Sequence, residues 1–237
     1  MSKKTIYLTA STIGTALLLS AMCGTVKMGI HTRFSMIYGW IDVSNFLSLT
    51  VSLTRWILPQ VILCGYLGNY LEEQLLKYMP YVLTRSHHPQ KIFGMFYGKL
   101  IGVAVVQCMI FILIPYVMEG LPRSQMSILI FEKMGIWFVY QLCMILVING
   151  LSTFFTAIGG FGISIGGEVL CFLCYKMILN GTISETVLRF LPVSSLIFFD
   201  GNALKNVTDI TGIIGFVIFA MVVTVGSIQY SMHRDTL

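Results

Sequence analysis

Apolar stretches about twenty residues long recur six times along this chain, and they limit what it can fold into more than any other feature. A helix rises 1.5 Å per residue, so about 20 apolar residues cross the hydrocarbon of a bilayer. Inside hydrocarbon every backbone N–H and C=O must find its partner within the chain, which makes helices of such stretches. The predicted spans cover residues 6–26, 56–76, 100–118, 128–148, 155–179 and 210–230. The expected fold class is therefore all-α, a single polytopic domain over 1–237 with six transmembrane helices.

Composition agrees. Charged residues make up 11% of the chain and hydrophobic residues 56%, where a soluble domain carries about 25% charged residues. A soluble fold of this size could not cover itself with so few charges. The net charge of +5 then speaks to topology and lipid headgroups. No stretch interleaves aromatics with dense Arg and Lys, so membrane lipid is an expected partner and nucleic acid is not. The N-terminus reads MSKK before its apolar run. That run is long enough to span, so a retained first helix is expected rather than a cleaved signal peptide.

Charge is concentrated in one island, 70–99, reading YLEEQLLKYMPYVLTRSHHPQKIFGMFYGK. Lys3 and Lys4 precede the first span, and His233 and Arg234 follow the last. With six spans, both ends and the island fall on one side. The positive-inside rule makes that side cytoplasmic. Of the 15 Lys and Arg, seven fall on this side and eight on the other or at its border, but acids balance most of the latter, so the density of the island decides. Two outer segments are long. Residues 27–55 include Trp40 and approach Trp56, and Trp favours the membrane interface, so an interfacial helix is expected. Residues 180–209 contain LPVSSLIFFDG, too apolar for a solvated loop, and a re-entrant segment before the sixth helix is expected.

Polar residues inside the spans are the candidates for a substrate path. Glu168 lies within the fifth, where an ionisable group is costly and is by default a functional candidate. Pairing with a neighbouring helix is its other reading. Gln60, Gln107, Gln141 and Asn149 are weaker signals of the same kind, because such amides often serve as interhelical hydrogen bonders. Gly159, Gly162 and Gly166 suit close helix packing. The GxxxG they contain fits packing within the chain, a dimer seam or a pivot. Cys23, Cys64, Cys108, Cys143, Cys171 and Cys174 all sit in apolar runs and read as small packing residues. The CxxC of Cys171 and Cys174 lacks the further ligands of a metal or redox site.

Catalytic motifs are incomplete. Glu72, Glu73 and Lys77 give EExxxK, close to the EExxxR of intramembrane proteases that process prenylated or bacteriocin-type substrates. Those enzymes also place histidines on later helices, whereas His31, His87, His88 and His233 all fall outside the predicted spans. Gly94 to Lys99 reads GMFYGK, one residue short between its glycines and with Leu100 where a phosphate-binding loop needs Ser or Thr. No catalytic residue and no nucleotide site is expected here.

The second span ending in acids, followed by TRS..PQKIFGMFYGK leading into the third, resembles the membrane subunits of type-2 ABC transporters. The basic-acidic close SIQYSMHRDTL and the six-span plan are similar too. The likeness covers the whole chain in layout and about thirty residues in motif. It implies a coupling helix between helices 2 and 3 that docks on a separate ATP-binding subunit. The matching residues are Glu72, Glu73, Leu76, Leu83, Thr84, Arg85, Lys91 and Lys99. It further implies a permease paired with a second copy or a related permease in a bacterial cell membrane. ATP and magnesium would be held by the partner ATPase, and an amphipathic peptide, lipid or drug-like molecule would be exported. The chain departs from larger members in having no long amphipathic helix ahead of its first span. The competing classes are an ion-coupled secondary transporter and a non-transport scaffold. Such a carrier usually has several intramembrane acids and broken helices, and this chain offers Glu168.

Overall fold

The first helix, α1 (Lys3–Cys23), contains hydroxyl residues that hydropathy alone would count against a span. Four of them find a partner in their own helix, and Ser11 meets the Tyr66 hydroxyl of the second helix at 3.3 Å. Thr9, Thr12, Thr15 and Ser20 donate to the carbonyls of Thr5, Leu8, Ser11 and Ala16 at 2.6–2.9 Å. A hydroxyl bonded four residues back costs little in hydrocarbon, since neither it nor the backbone is left bare. The same device opens α2 (Phe46–Leu67), where Ser52 and Thr54 donate to the carbonyls of Ser48 and Thr50.

The computed structural model describes residues 3–23, 37, 40–41, 46–74, 77, 89–119, 126–179, 181–182, 184–196, 199–200, 203–204 and 210–233. After α2 come α3 (Pro89–Glu119), α4 (Met126–Phe154), α5 (Ala157–Leu179) and α6 (Thr211–His233). These six helices are long and apolar enough to cross a membrane. Pro89 opens α3, a position where its missing N–H has no helical partner to lose. With 31 residues, α3 is about 46 Å long, well beyond the ~30 Å hydrocarbon thickness. Its first turns, with exposed Lys91 and Lys99, have length to extend past the bilayer.

Two boundaries differ from expectation. The second helix begins at Phe46, ten residues ahead of its expected start, so 46–55 belongs to α2 and not to an outer segment. Of the segment 27–55, over which an interfacial helix is expected, residue 37 is helical and buried, and most of the stretch ahead of Phe46 lies outside the described residues. Trp40–Ile41 is a short strand, β1. It pairs in parallel with β2 (Phe199–Asp200), which pairs antiparallel with β3 (Ala203–Leu204). These strands tie the connection after α1 to the one after α5. Between α5 and α6, two 3-10 turns, Glu185–Phe190 and Pro192–Ser195, pack on both helices with Val193 and Leu196 fully covered.

Helix α4 is the central one. Of its span 67% is buried, whereas the other five range from 22 to 39%. It packs on α6, α5, α3 and α2, while α1 packs on α2 and α3. At Gly160 a side chain would meet the backbone of α4, 2.8 Å from the Ser152 nitrogen and 2.9 Å from the Ile148 oxygen. At Gly150 it would lie 2.6 Å from the Val223 side chain of α6. Glycine is what lets these backbones approach. The outward faces are apolar: Leu17, Val106, Leu113, Leu170, Ile218 and Val222 are exposed. An apolar belt of this kind suits lipid and not water.

Candidate functional site

Three helices meet at a buried carboxylate. Glu168 lies at the midpoint of α5, Trp56 at that of α2 and Tyr140 at that of α4. Glu168 is only 4% exposed. The indole N–H of Trp56 donates to Glu168 Oε1 at 2.6 Å, the Gln60 amide nitrogen at 2.5 Å and the Tyr140 hydroxyl at 2.9 Å. Gln60 stands one turn after Trp56, so both reach the same oxygen from one face of α2. Aromatic rings enclose the group. Trp56 meets Phe172 edge-on at 5.2 Å and Tyr140 at 6.5 Å, and Tyr140 lies 5.1 Å from Phe216 of α6.

Burying a carboxylate without a partner costs several kcal/mol. Here the compensation comes from neutral donors alone, and all of it falls on one oxygen. Glu168 Oε2 is buried without a hydrogen-bond partner among the described residues, as is the side-chain oxygen of Gln60. No Lys, Arg or His among the described residues bonds to this carboxylate. The centre can therefore hold one small positive species or stand as an interhelical clamp.

The other substrate-path candidates lie elsewhere. Gln107 donates to Thr9 across the α3–α1 seam at 3.1 Å. Gln141 is fully buried beside Tyr140 in sequence, with both amide atoms unpartnered among the described residues. Asn149 accepts from the Leu71 backbone N–H and donates to the Ile145 carbonyl. It belongs to the bundle end where α2 leaves, away from the Glu168 centre.

That end is a second polar node. Glu72 Oε2 accepts from the Ala157 N–H, the first residue of α5, at 3.1 Å. Helix N-termini present unpaired N–H groups and positive potential, so a carboxylate there is well placed. Glu73 pairs with Lys4 of α1 at 2.9 Å and accepts from Asn69 at 2.7 Å. Both acids expected to meet a partner protein therefore also bind within the chain, joining α1, α2 and α5. Of the remaining docking candidates, Lys91 and Lys99 are exposed on α3, and Leu76, Leu83, Thr84 and Arg85 lie outside the described residues.

The glycines divide. Gly162 and Gly166 are exposed, and an added side chain would meet nothing within 4 Å, so they do not pack within the chain as one reading held. Gly159 would meet only Phe155 and Thr156, just ahead of its own helix, while neighbouring Gly160 makes the close approach to α4. Sequence reading also missed Trp56 and Tyr140 as partners of Glu168, and it gave Trp56 an interfacial place. Trp56 is 1% exposed at mid-helix. The expected span began at Trp56, and only the earlier start of α2 at Phe46 puts the indole at mid-helix, where a buried donor needs a polar partner. Lys133 was missed too, and it is buried in α4. No family model, curated protein or solved structure matches this chain.

Proposed function

We propose that this chain is the membrane subunit of an ATP-driven exporter of the type-2 ABC kind. The observation that carries the reading is the node at the end of α2. Glu72 holds the start of α5 and Glu73 holds α1, immediately ahead of the charged island in the sequence. A push on that segment would reach three helices at once, which is what a coupling element needs. Its coupling helix would fall between Lys77 and the start of α3, with Leu83, Thr84 and Arg85 on the docking face. The re-entrant element would be the pair of 3-10 turns ahead of α6, whose Val193 and Leu196 are already covered. Two permeases would form the pathway, and ATP with magnesium would be bound by the partner subunit. The cargo class would be an amphipathic peptide, lipid or drug-like molecule. A second reading, an ion-coupled carrier, has the buried Glu168 centre on its side.

Purification from the native membrane without crosslinking tests the first reading. The expected outcome is reproducible recovery of a separate ATP-binding chain, with no ATP hydrolysis by this chain alone. Arg85→Glu and Leu83→Asp should release that partner while the protein still inserts, because a charge pressed into an apolar contact is costly unless paired. Hydrolysis by the isolated chain, or recovery without any ATPase, would sink the exporter reading.

A further inference from the structure

We propose that Glu168 binds an exchangeable proton at the centre of the bundle, and that the Gln60 amide turns over to match its presence. The geometry is lopsided in a way a fixed carboxylate would not need. Three donors converge on Oε1, and Oε2 is buried with none among the described residues. Gln60 gives its N–H to the carboxylate while its own oxygen stands unpartnered. A proton on the carboxyl group removes the charge and supplies an O–H donor. The Gln60 oxygen is the natural acceptor, because the amide's terminal torsion is broad and turning it exchanges oxygen for nitrogen. The proton enters and leaves as H⁺, and no electron moves.

A metal cation fits poorly. Hard cations take about six or more oxygen ligands, and the unpartnered oxygens established at this centre are those of Glu168 and Gln60. Among the described residues no group of three or more His, Cys, Asp or Glu could hold a metal ion. The titratable groups facing Glu168 are Cys64 from α2, Tyr140 from α4 and Cys171 from α5 itself. From α6, Phe216 lies against Tyr140, and residues 211–232 of that helix carry no charge. The 3-10 turns bring exposed Arg189, which does not reach the carboxylate. Lys133, two turns before Tyr140 on α4, is a buried cation of the described interior, but its charged neighbour is Glu132, and the groups bonded to Glu168 are Gln60, Trp56 and Tyr140, which leaves the carboxyl group room for a proton.

The inference stands apart from the docking reading, since it concerns the bundle interior and needs no partner chain. Infrared difference spectra of the full-length protein in lipid nanodiscs, stepped in pH, test it. The expected result is a protonated-carboxyl stretch that grows on acidification and is lost in Glu168→Gln. Gln60→Met, which removes the amide, should shift the pH at which the band appears. Should Glu168→Gln fail to fold, carbodiimide labelling of the wild type, located by mass spectrometry, decides alone. Labelling at Glu168 should fall as pH rises and be indifferent to sodium or potassium. A band that is absent or unchanged at every pH would overturn the proposal, and so would protection by either alkali ion at fixed pH.

Discussion

At Glu168 one residue sets the requirements of three helices. Trp56, Gln60 and Tyr140 each present a buried donor, and a single carboxylate oxygen satisfies all of them. Removing the acceptor should therefore cost more than removing any one donor. Hydrogen bonds between membrane helices are worth about 0.6–2 kcal/mol each. Tyr140→Phe should lower stability by about 1 kcal/mol, while Glu168→Leu, which strands three donors, should cost about 3 kcal/mol. Glu168→Gln keeps a carbonyl for the donors and should fall nearer the wild type. Thermal unfolding in detergent, followed by circular dichroism, orders the three variants. Equal losses for Glu168→Leu and Tyr140→Phe would mean that the donors find other partners. The acid itself was legible in the sequence, since a carboxylate amid apolar residues stands out. Its aromatic partners were not, because Trp and Tyr contribute to hydropathy as apolar residues and their donor atoms carry no sign in a sliding window.

Among the helices, existence and type were legible and boundaries less so, for a physical reason visible in α2. The sequence FLSLTVSLTR at its start looks half polar. Its hydroxyls fold back on the helix backbone, as Ser52 and Thr54 do, so the segment meets the membrane with fewer bare polar groups than its composition implies. Glycine misled in another way. Gly160 and Gly162 look alike in the sequence, yet α5 turns one toward α4 and the other outward. Placing bulk at the two positions should separate them. Gly160→Leu must displace the α4 backbone and should destabilise the chain by about 1–3 kcal/mol. Gly162→Leu and Gly166→Leu should leave the stability of the isolated chain within about 0.5 kcal/mol. The same thermal measurement on detergent-solubilised protein checks both. A large loss at Gly162 would mean that this face is packed in solution, most simply against a second copy.

On the scale of the whole molecule, the ends are the question. Lys4 at the start of α1 touches Glu73 after α2, and Glu72 touches the start of α5. Phe154, at the end of α4, lies with its ring tilted against Tyr230, 5.1 Å away near the end of α6. These contacts gather the start of α1 and the end of α6 at one end of the bundle, as a chain crossing six times requires. The exposed Lys4–Glu73 pair adds only about 0–1 kcal/mol to stability, so its value is as a marker of which ends meet. Our proposal puts that end in the cytoplasm, on the charge density of the island, and labelling tests it. In a cysteine-free background, Lys4→Cys with Glu73→Cys should be joined by a bifunctional thiol reagent whose spacer is about as long as the two side chains it replaces, roughly 10 Å, a span beyond the reach of a direct disulfide, since the native side chains meet at their tips. A membrane-impermeant thiol reagent applied to intact cells should then leave single cysteines at 4, 73 and 85 unmodified. It should modify one at Asp42, across the first span. Crosslinking together with outside labelling at 85 would keep the bundle and invert it. Failure to crosslink would instead separate α1 from the end of α2, and with it remove the node through which a docked partner could move the helices.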